Sequence, residues 1–256
     1  MGPRLGVPGD IEAVTHVIIK TMPLDPQWNY RFPYRQQHPE DHYKYTRMLF
    51  EYFLDPSYQD WLVMVVEDSL EPGGPCEVVG FGVWDVSYIN RRLHGAGYKT
   101  QDRKFMPNGS GSLARMSTNS NVSAAVTEVE ERGGKTRKDA NHDRFNEFWK
   151  GQTRAYQKFF SPLGPEQIHL QILATLPEFQ RRGHGSSLCR FAMELVKRDH
   201  LSNMSVMASP MGQKLYSALG FEKVGTFYVQ VPGEEERLVL QAMIYKPPKP
   251  RGPASL

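Results

Sequence analysis

Residues 166–245 hold the pattern that most limits what this 256-residue chain can fold into. An apolar run, Ile168–Ala174, is stopped by Pro177. Gly183 and Gly185 follow, after which Leu188, Cys189, Phe191, Ala192, Leu195 and Val196 recur at helical spacing. The spacing predicts a strand, a sharp stop and a helix over Gly185–Asp199. Met204–Ala208 reads as a short strand and Met211–Leu219 as a helix. Phe221–Val231 and Leu238–Tyr245 read as a hairpin closed around Gly233-Glu234-Glu235-Glu236. Strands and helices alternate here while the flanking hairpins read as antiparallel, so the expectation is an α/β (α+β) fold with a mixed central sheet flanked by helices.

Upstream, Asp10 is a plausible helix cap before Ile11, Val14, Val17 and Ile18. Pro23, Pro26 and Pro33 make residues 21–38 an expected irregular, aromatic-rich loop, and Glu40–Leu54 resumes helical spacing. Trp61–Glu67 and Val78–Tyr88 read as a strand hairpin, and Asp143–Phe160 as a helix. Between them, residues 107–123 contain 11 Gly, Ser, Thr or Asn among 17. Residues 128–139 are charged, with Gly133-Gly134 inside. The segment from about 100 to 142 lacks the apolar spacing that would offset ordering entropy, which predicts a mobile insertion. Residues 246–256 read as a loose, proline-rich tail.

Composition removes several function classes. With 31 Lys+Arg against 28 Asp+Glu the net charge is +3, too balanced for the basic stripe of a nucleic-acid binder. Cys76 and Cys189 fit no metal spacing and no disulfide framework. No apolar run approaches the roughly 18 residues of a membrane span, and the first residues show no cleavage-site pattern, so a cytoplasmic protein without membrane or metal is expected.

The chemistry concentrates in residues 168–186. A strand running out at Thr175 and a helix opened by Gly183 and Gly185 would present unpaired backbone N–H groups at the helix start. Glycines let an anion approach the backbone, the helix dipole favours negative charge, and Arg181 and Arg182 add positive charge. A phosphate-bearing ligand fits this layout, and so does the plainer reading that the glycines permit tight helix–strand packing. The dinucleotide and P-loop glycine patterns are both missing.

The segment reads Gln180-Arg181-Arg182-Gly183-His184-Gly185, and about 30 residues later comes Leu215-Tyr216-Ser217-Ala218-Leu219-Gly220-Phe221. Together these resemble the GNAT superfamily of acyl-CoA-dependent N-acetyltransferases, whose cofactor motif is [QR]-x-x-G-x-[GA] and whose later helix commonly ends in L-Y-x-x-x-G-F. The general layout looks like small-molecule-type GNAT proteins of fungi. The resemblance implies one N-acetyltransferase domain over 1–245, with the sheet splayed between its fourth and fifth strands and a long insertion before the fourth. Acetyl-CoA would be the cosubstrate, with pantetheine paired to the strand end at Leu173, Ala174 and Thr175. The pyrophosphate would sit on the amides of Arg181, Arg182, Gly183, His184, Gly185 and Ser186, with Gln180 opening the motif. Ser209 stands where many members carry Asn at the mouth of the splay. The family's first strand usually carries an I-R-x-A-type run near the N-terminus, whereas MGPRLGVPGD is barely strand-like.

By the same resemblance Tyr216 matches the family's general acid, a role suited to a phenol that titrates near ~10. Strand alternation is expected to put His169, Gln171 and Leu173 on one face. His169 matches the first of two histidines in the arylalkylamine N-acetyltransferases and is a candidate base beside its plainer reading as a hydrogen-bonded strand histidine; Gln171 replaces the second. Trp28–Tyr34, Tyr43 and Tyr45 could line an acceptor site or simply pack the core. The expected activity is direct acetyl transfer to a small-molecule amine by a monomer or homodimer. The alternatives are a protein lysine or N-terminal acetyltransferase, or a non-catalytic CoA-binding protein.

Overall fold

The computed structural model describes residues 2–95, 97–98 and 129–248. Most of the expected insertion therefore lies outside the described residues, as does the end of the proline-rich tail. The strands are β1 (Arg4–Leu5), β2 (Trp61–Asp68), β3 (Glu77–Asp85), β4 (Gln167–Thr175), β5 (Asn203–Ala208), β6 (Glu222–Val229) and β7 (Leu238–Tyr245). They form one seven-stranded sheet in the order β1-β2-β3-β4-β5-β7-β6. Every neighbouring pair is antiparallel except β4 and β5, which run parallel. The sheet is mixed, as its apolar runs predict.

The helices are α1 (Ile11–Thr21), α2 (Pro26–Arg31), α3 (Pro39–Phe53), α4 (Tyr88–His94), α5 (His142–Phe159), α6 (His184–Arg198) and α7 (Gln213–Ala218). The largest apolar core holds Val14, Val17, Phe50, Phe81, Trp84, Ile168, Leu188 and Met204, joining α1, α3 and α6 to the centre of the sheet. Two smaller clusters hold α5 against the hairpin: Phe148 with Leu238 and Leu240, and Phe160 with Ala242 and Ile244. Among the described residues no helix is long and apolar enough to cross a membrane.

Four local expectations are corrected. Residues 21–38 are not simply irregular: Asp25 accepts a hydrogen bond from the Gln27 amide at 3.1 Å and Pro26 occupies the first turn, which starts α2. The strand expected through Tyr88 ends at Asp85, and α4 begins at Tyr88. Asp10 precedes α1 without capping it. Its carboxylate instead takes the Arg4 guanidinium at 2.8 and 2.9 Å and the Val7 amide at 2.9 Å. That clamp fixes a first strand only two residues long, which explains why its sequence reads so weakly.

The fourth correction concerns the end of the expected insertion. Residues 129–142 are docked, with Arg137, Asp139 and Ala140 buried. Asp139 accepts from Arg137 Nε and Nη2 at 2.7 and 2.6 Å and lies 2.6 Å from His42 Nδ1 on α3. Burial alone would raise the Asp139 pKa, but the bonds from His42 and Arg137 outweigh it and hold the carboxyl at about 2. Trp28 Nε1 donates to His42 Nε2 at 3.1 Å, so His42 is a neutral ring with its proton directed at Asp139. Charge in this segment marks a buried network, where composition suggests a solvated stretch.

Candidate active site

The site begins with a change of pairing along β4. Gln167, Ile168, His169 and Leu170 pair with Asn203, Met204, Ser205 and Val206 of β5, and there the pairing stops. Beyond it β4 stays on β3, with Ile172, Leu173, Ala174 and Thr175 opposite Val83, Gly82, Phe81 and Gly80. The last residues of β5, Met207 and Ala208, pair only with β7. The two strands therefore part, exposing a β4 edge over 171–175 that has no strand partner on that side among the described residues. An extended chain with amide groups can add to such an edge.

A bulge sits where the strands part. Trp84 faces Leu170 and Val83 faces Ile172, leaving Gln171 as an extra residue. The bulge reverses the alternation, so the expectation that His169, Gln171 and Leu173 share a face is overturned. Leu173 faces α6, where a β-carbon placed on Gly185 would lie 3.8 Å from it. His169 faces α5, with the Tyr156 and Phe160 rings each 5.3 Å away. Its Nδ1 lies 2.8 Å from Ser205 Oγ. Burial pushes its pKa down to about 3, which keeps the ring neutral and makes it a poor match to proton abstraction near pH 7. His169 behaves as a hydrogen-bonded core residue in the paired half of the strand.

Past Thr175 the chain makes a tight approach to α6. Leu176 donates to the Val79 carbonyl at 2.8 Å, and Pro177–Phe179 forms one turn of 3-10 helix. Gln180 Nε2 donates to the Thr175 carbonyl at 3.1 Å, and Thr21 Oγ1 donates to the same oxygen at 3.2 Å. Gln180 is thus a strut between loop and strand, and the Thr175 carbonyl is already taken. Arg181 has φ of 65° and Gly183 φ of 92°, two left-handed residues that fold the chain into a concave turn. The first α6 amide to find a backbone acceptor belongs to Ser187, which donates to the Gly183 carbonyl at 2.9 Å. Those of His184, Gly185 and Ser186 have no acceptor among the described residues. Positive partial charge therefore gathers at this helix start.

The two glycines do different work. A β-carbon on Gly183 would meet nothing within 4 Å, so open space lies in front of it. One on Gly185 would come within 3.3 Å of Leu215 Cδ2, so this glycine serves the packing of α6 on α7. The Arg182 and His184 side chains turn aside. Arg182 reaches Asp68 at 3.5 Å and the Ser69 carbonyl at 3.3 Å while covering the Phe179 ring. His184 Nε2 lies 2.9 Å from Asp68 Oδ2. The Ser69 amide, with help from His184, holds the Asp68 carboxyl below the usual range. Asp68, at the end of β2, was not singled out from the sequence, because nothing in its local run marks it as the anchor of a loop more than 100 residues away.

On the far side of the gap, Ser209 is buried and its carbonyl caps α7, accepting from the Gly212 and Gln213 amides at 3.0 and 3.2 Å. Tyr216 lies in that helix with its ring 5.5 Å from Phe221 and packed so closely on Gly212 that a β-carbon there would fall 2.6 Å from Tyr216 Cε2. Burial lifts its pKa well above the ordinary phenol value, with Cys189 and Asp25 adding to the rise. The hydroxyl therefore keeps its proton throughout the neutral range. Of the aromatic residues considered for the acceptor side, Trp28, Tyr30, Phe32 and Tyr45 are buried, whereas Tyr34 and Tyr43 are exposed.

Comparison with known proteins matches residues 160–243 to the acetyltransferase (GNAT) domain family. A protein of Stachybotrys chartarum described as "Acetyltransferase" is 33% identical over 70 residues, which is 27% of this chain and 30% of that protein. The chain thus aligns with less than a third of that relative's length. Among solved structures, a Corynebacterium glutamicum chain described as histone acetyltransferase HPA2 and related acetyltransferase is 18% identical, with 98% of this chain and 100% of that one covered and a TM-score of 0.49. The PaiA N-acetyltransferase of Thermoplasma acidophilum, solved in complex with coenzyme A, is 11% identical over 93% of this chain and 96% of its own, with a TM-score of 0.46.

Proposed function

We propose, from the premise that this chain belongs to the GNAT acetyltransferase superfamily, that it transfers the acetyl group of acetyl-CoA to the amine of a small molecule. The reading takes residues 1–245 as one acetyltransferase domain working in the cytoplasm. One observation carries it: the parting of β4 from β5 opens directly beside a helix start whose amides are unpaired and whose first glycine faces open space.

In this reading the outward main-chain groups of Leu173 pair with the pantetheine amides, and the Thr175 N–H extends that edge while its carbonyl stays bound to Thr21 and Gln180; the main-chain groups of Ala174 face Phe81 of β3 and take no part. The diphosphate rests on amides between Arg181 and Ser186. Arg182 and His184 contribute by tying the loop to Asp68, and Arg181 remains exposed beside the anion. Ser209 shapes the opposite lip of the gap through its carbonyl.

The acceptor nitrogen, neutral when it attacks, forms a bond to the thioester carbon. Backbone N–H groups at the open β4 edge stabilise the oxyanion that forms. As the tetrahedral centre collapses, the C–S bond breaks and the sulfur takes its proton from the Tyr216 hydroxyl. The surplus proton on the new amide nitrogen passes to water, which re-protonates the tyrosinate in turn. No base role falls to His169, whose ring is buried and turned toward α5. Burial keeps the Tyr216 phenol protonated through the neutral range, so the donor is present when the thiolate forms, at the cost of a weaker acid.

Calorimetric titration with acetyl-CoA and with CoA tests the first half of the reading. The second half is tested by a panel of small amines and of lysine and N-terminal peptides, with release of free thiol followed. Binding together with turnover of small amines is the expected result. Folded protein that binds neither form of the cosubstrate would refute the assignment. Turnover of peptides alone would move it to a protein acetyltransferase, and binding without turnover on any acceptor to a CoA-binding protein.

A further inference from the structure

Arg31 ends α2 and is only 8% exposed, yet no carboxylate among the described residues is bonded to it. Its Nε donates to the Gln27 carbonyl at 3.1 Å, and no acceptor for its two terminal nitrogens is found among the described residues. The guanidinium carbon lies 4.1 Å from the centre of the Phe148 ring, 5.1 Å from Phe32 and 5.2 Å from Trp28. Neighbouring carboxylates are committed elsewhere: Asp139 to Arg137 and His42, Asp25 to the Gln27 amide. Arg137 shares the Phe32 ring with Arg31, 4.5 Å from its centre, and adds a like charge. Burial pulls the Arg31 pKa down to about 9; the nearby Asp25 charge opposes this and Arg137 adds to it, and the balance leaves the guanidinium under-compensated.

The residue stands at the right place for an acceptor. Thr21, where the α1–α2 connection begins, is bonded to the Thr175 carbonyl at the open end of β4. Tyr30, next to Arg31, accepts at its hydroxyl from the Val231 amide at 3.2 Å, at the β6–β7 connection. Residues 21–31 therefore run from the parted strands to the hairpin. Asp25, midway, is within electrostatic reach of both Arg31 and Tyr216.

We propose that Arg31 binds a carboxylate of the acceptor, so that the small molecule acetylated here is an amine that also carries a carboxylate group. The inference rests on the acetyltransferase reading and names its substrate class. A guanidinium offers two parallel N–H donors in one plane, the geometry of a bidentate carboxylate. One cation matches the single charge of a carboxylate better than the near-double charge of a phosphate. A partnerless arginine held among three rings destabilises the folded protein, as expected of a group kept for binding.

The test pairs each proteinogenic amino acid with its C-terminal amide. Acetyl transfer and calorimetric binding are measured for the wild type, Arg31→Gln, Arg31→Lys and Arg31→Met. Carboxylate acceptors are expected to outperform their amides in the wild type. In Arg31→Gln the ratio of amide KM to acid KM should fall by on the order of 10-fold or more, as loss of a charge-assisted pair implies. Arg31→Lys should recover part of that ratio, and Arg31→Met should melt no lower than the wild type. A purely structural arginine would lower the melting temperature and leave the ratio where it was, which would overturn the proposal. So would amides matching acids in the wild type, or amino acids neither bound nor acetylated by protein that binds acetyl-CoA. Failure to bind acetyl-CoA would instead strike the enzyme reading, while direct amino-acid binding would still score Arg31.

Discussion

Replacing Gly183 by alanine separates the cost of a backbone shape from the cost of losing an anion site. Gly183 sits at φ of 92°, where an L residue is strained by roughly 1–2 kcal/mol, and its added β-carbon would touch nothing within 4 Å. The expected loss of folding stability is therefore that strain alone, read as a modest drop in urea midpoint. Affinity should suffer more. The methyl group would stand in the open space before the helix start, where a phosphate oxygen must come within about 3 Å of an amide. Losing one charge-assisted bond there is worth about 1.5–3 kcal/mol, which weakens CoA binding by on the order of 10- to 100-fold. Calorimetry with CoA and with pantetheine reads the difference. Pantetheine has the arm proposed to lie along β4 but no diphosphate, so its weaker binding should be nearly unchanged by the substitution. Gly185→Ala is the packing control, since its β-carbon crowds Leu215 and should act mainly on stability. Equal losses for CoA and pantetheine, or no loss for either, would refute a diphosphate seat at Gly183.

Tyr216→Phe should slow turnover by at least tenfold while leaving CoA affinity within about twofold, by the usual scale of general-acid catalysis; unchanged turnover would remove the tyrosine from its role. Because its pKa stands well above 10, the wild-type rate should show no loss from tyrosine ionisation between pH 7 and about 9. His169 has a pKa of about 3 in the fold against 6.5 when unfolded, so the unfolded state takes the proton first. The neutral ring's contribution is complete above about pH 6.5 and shrinks on acidification toward pH 3, by up to about 1.4 kcal/mol per pH unit. Urea midpoints from pH 7 to 4 should therefore fall less steeply for His169→Asn than for the wild type. Asp139→Asn leaves Arg137 buried without its partner and should cost roughly 3–5 kcal/mol of stability, measured by urea unfolding. Asp139 is held at about 2, so its contribution is present above about pH 4 and lost as pH falls through 2.

What could be read from the sequence divides along a physical line. Gly183 and the apolar stripe of α6 were legible because both are local: a left-handed turn needs glycine, and a helix face needs a period. Parting of β4 from β5 was legible only through the resemblance, since no proline, glycine or charged residue within either strand marks where the pairing stops. The bulge at Gln171 was not legible at all. No glycine or proline marks it within β4, and what accompanies it lies on β3, where Gly82 leaves the space that the Trp84 ring fills, opposite Leu170 and Leu173. Because alternation was read along β4 alone, His169 was assigned to the face of Leu173. Asp25-Pro26 did announce α2, by an acceptor side chain followed by a residue that needs no donor, but the surrounding prolines obscured it. Arg31 was passed over for the opposite reason. An arginine among aromatic residues looks solvated in sequence, and only the folded neighbourhood shows that its carboxylate is missing. A buried charge with no partner among the described residues has no sequence signature, so sites of that kind are found by accounting for every buried charge.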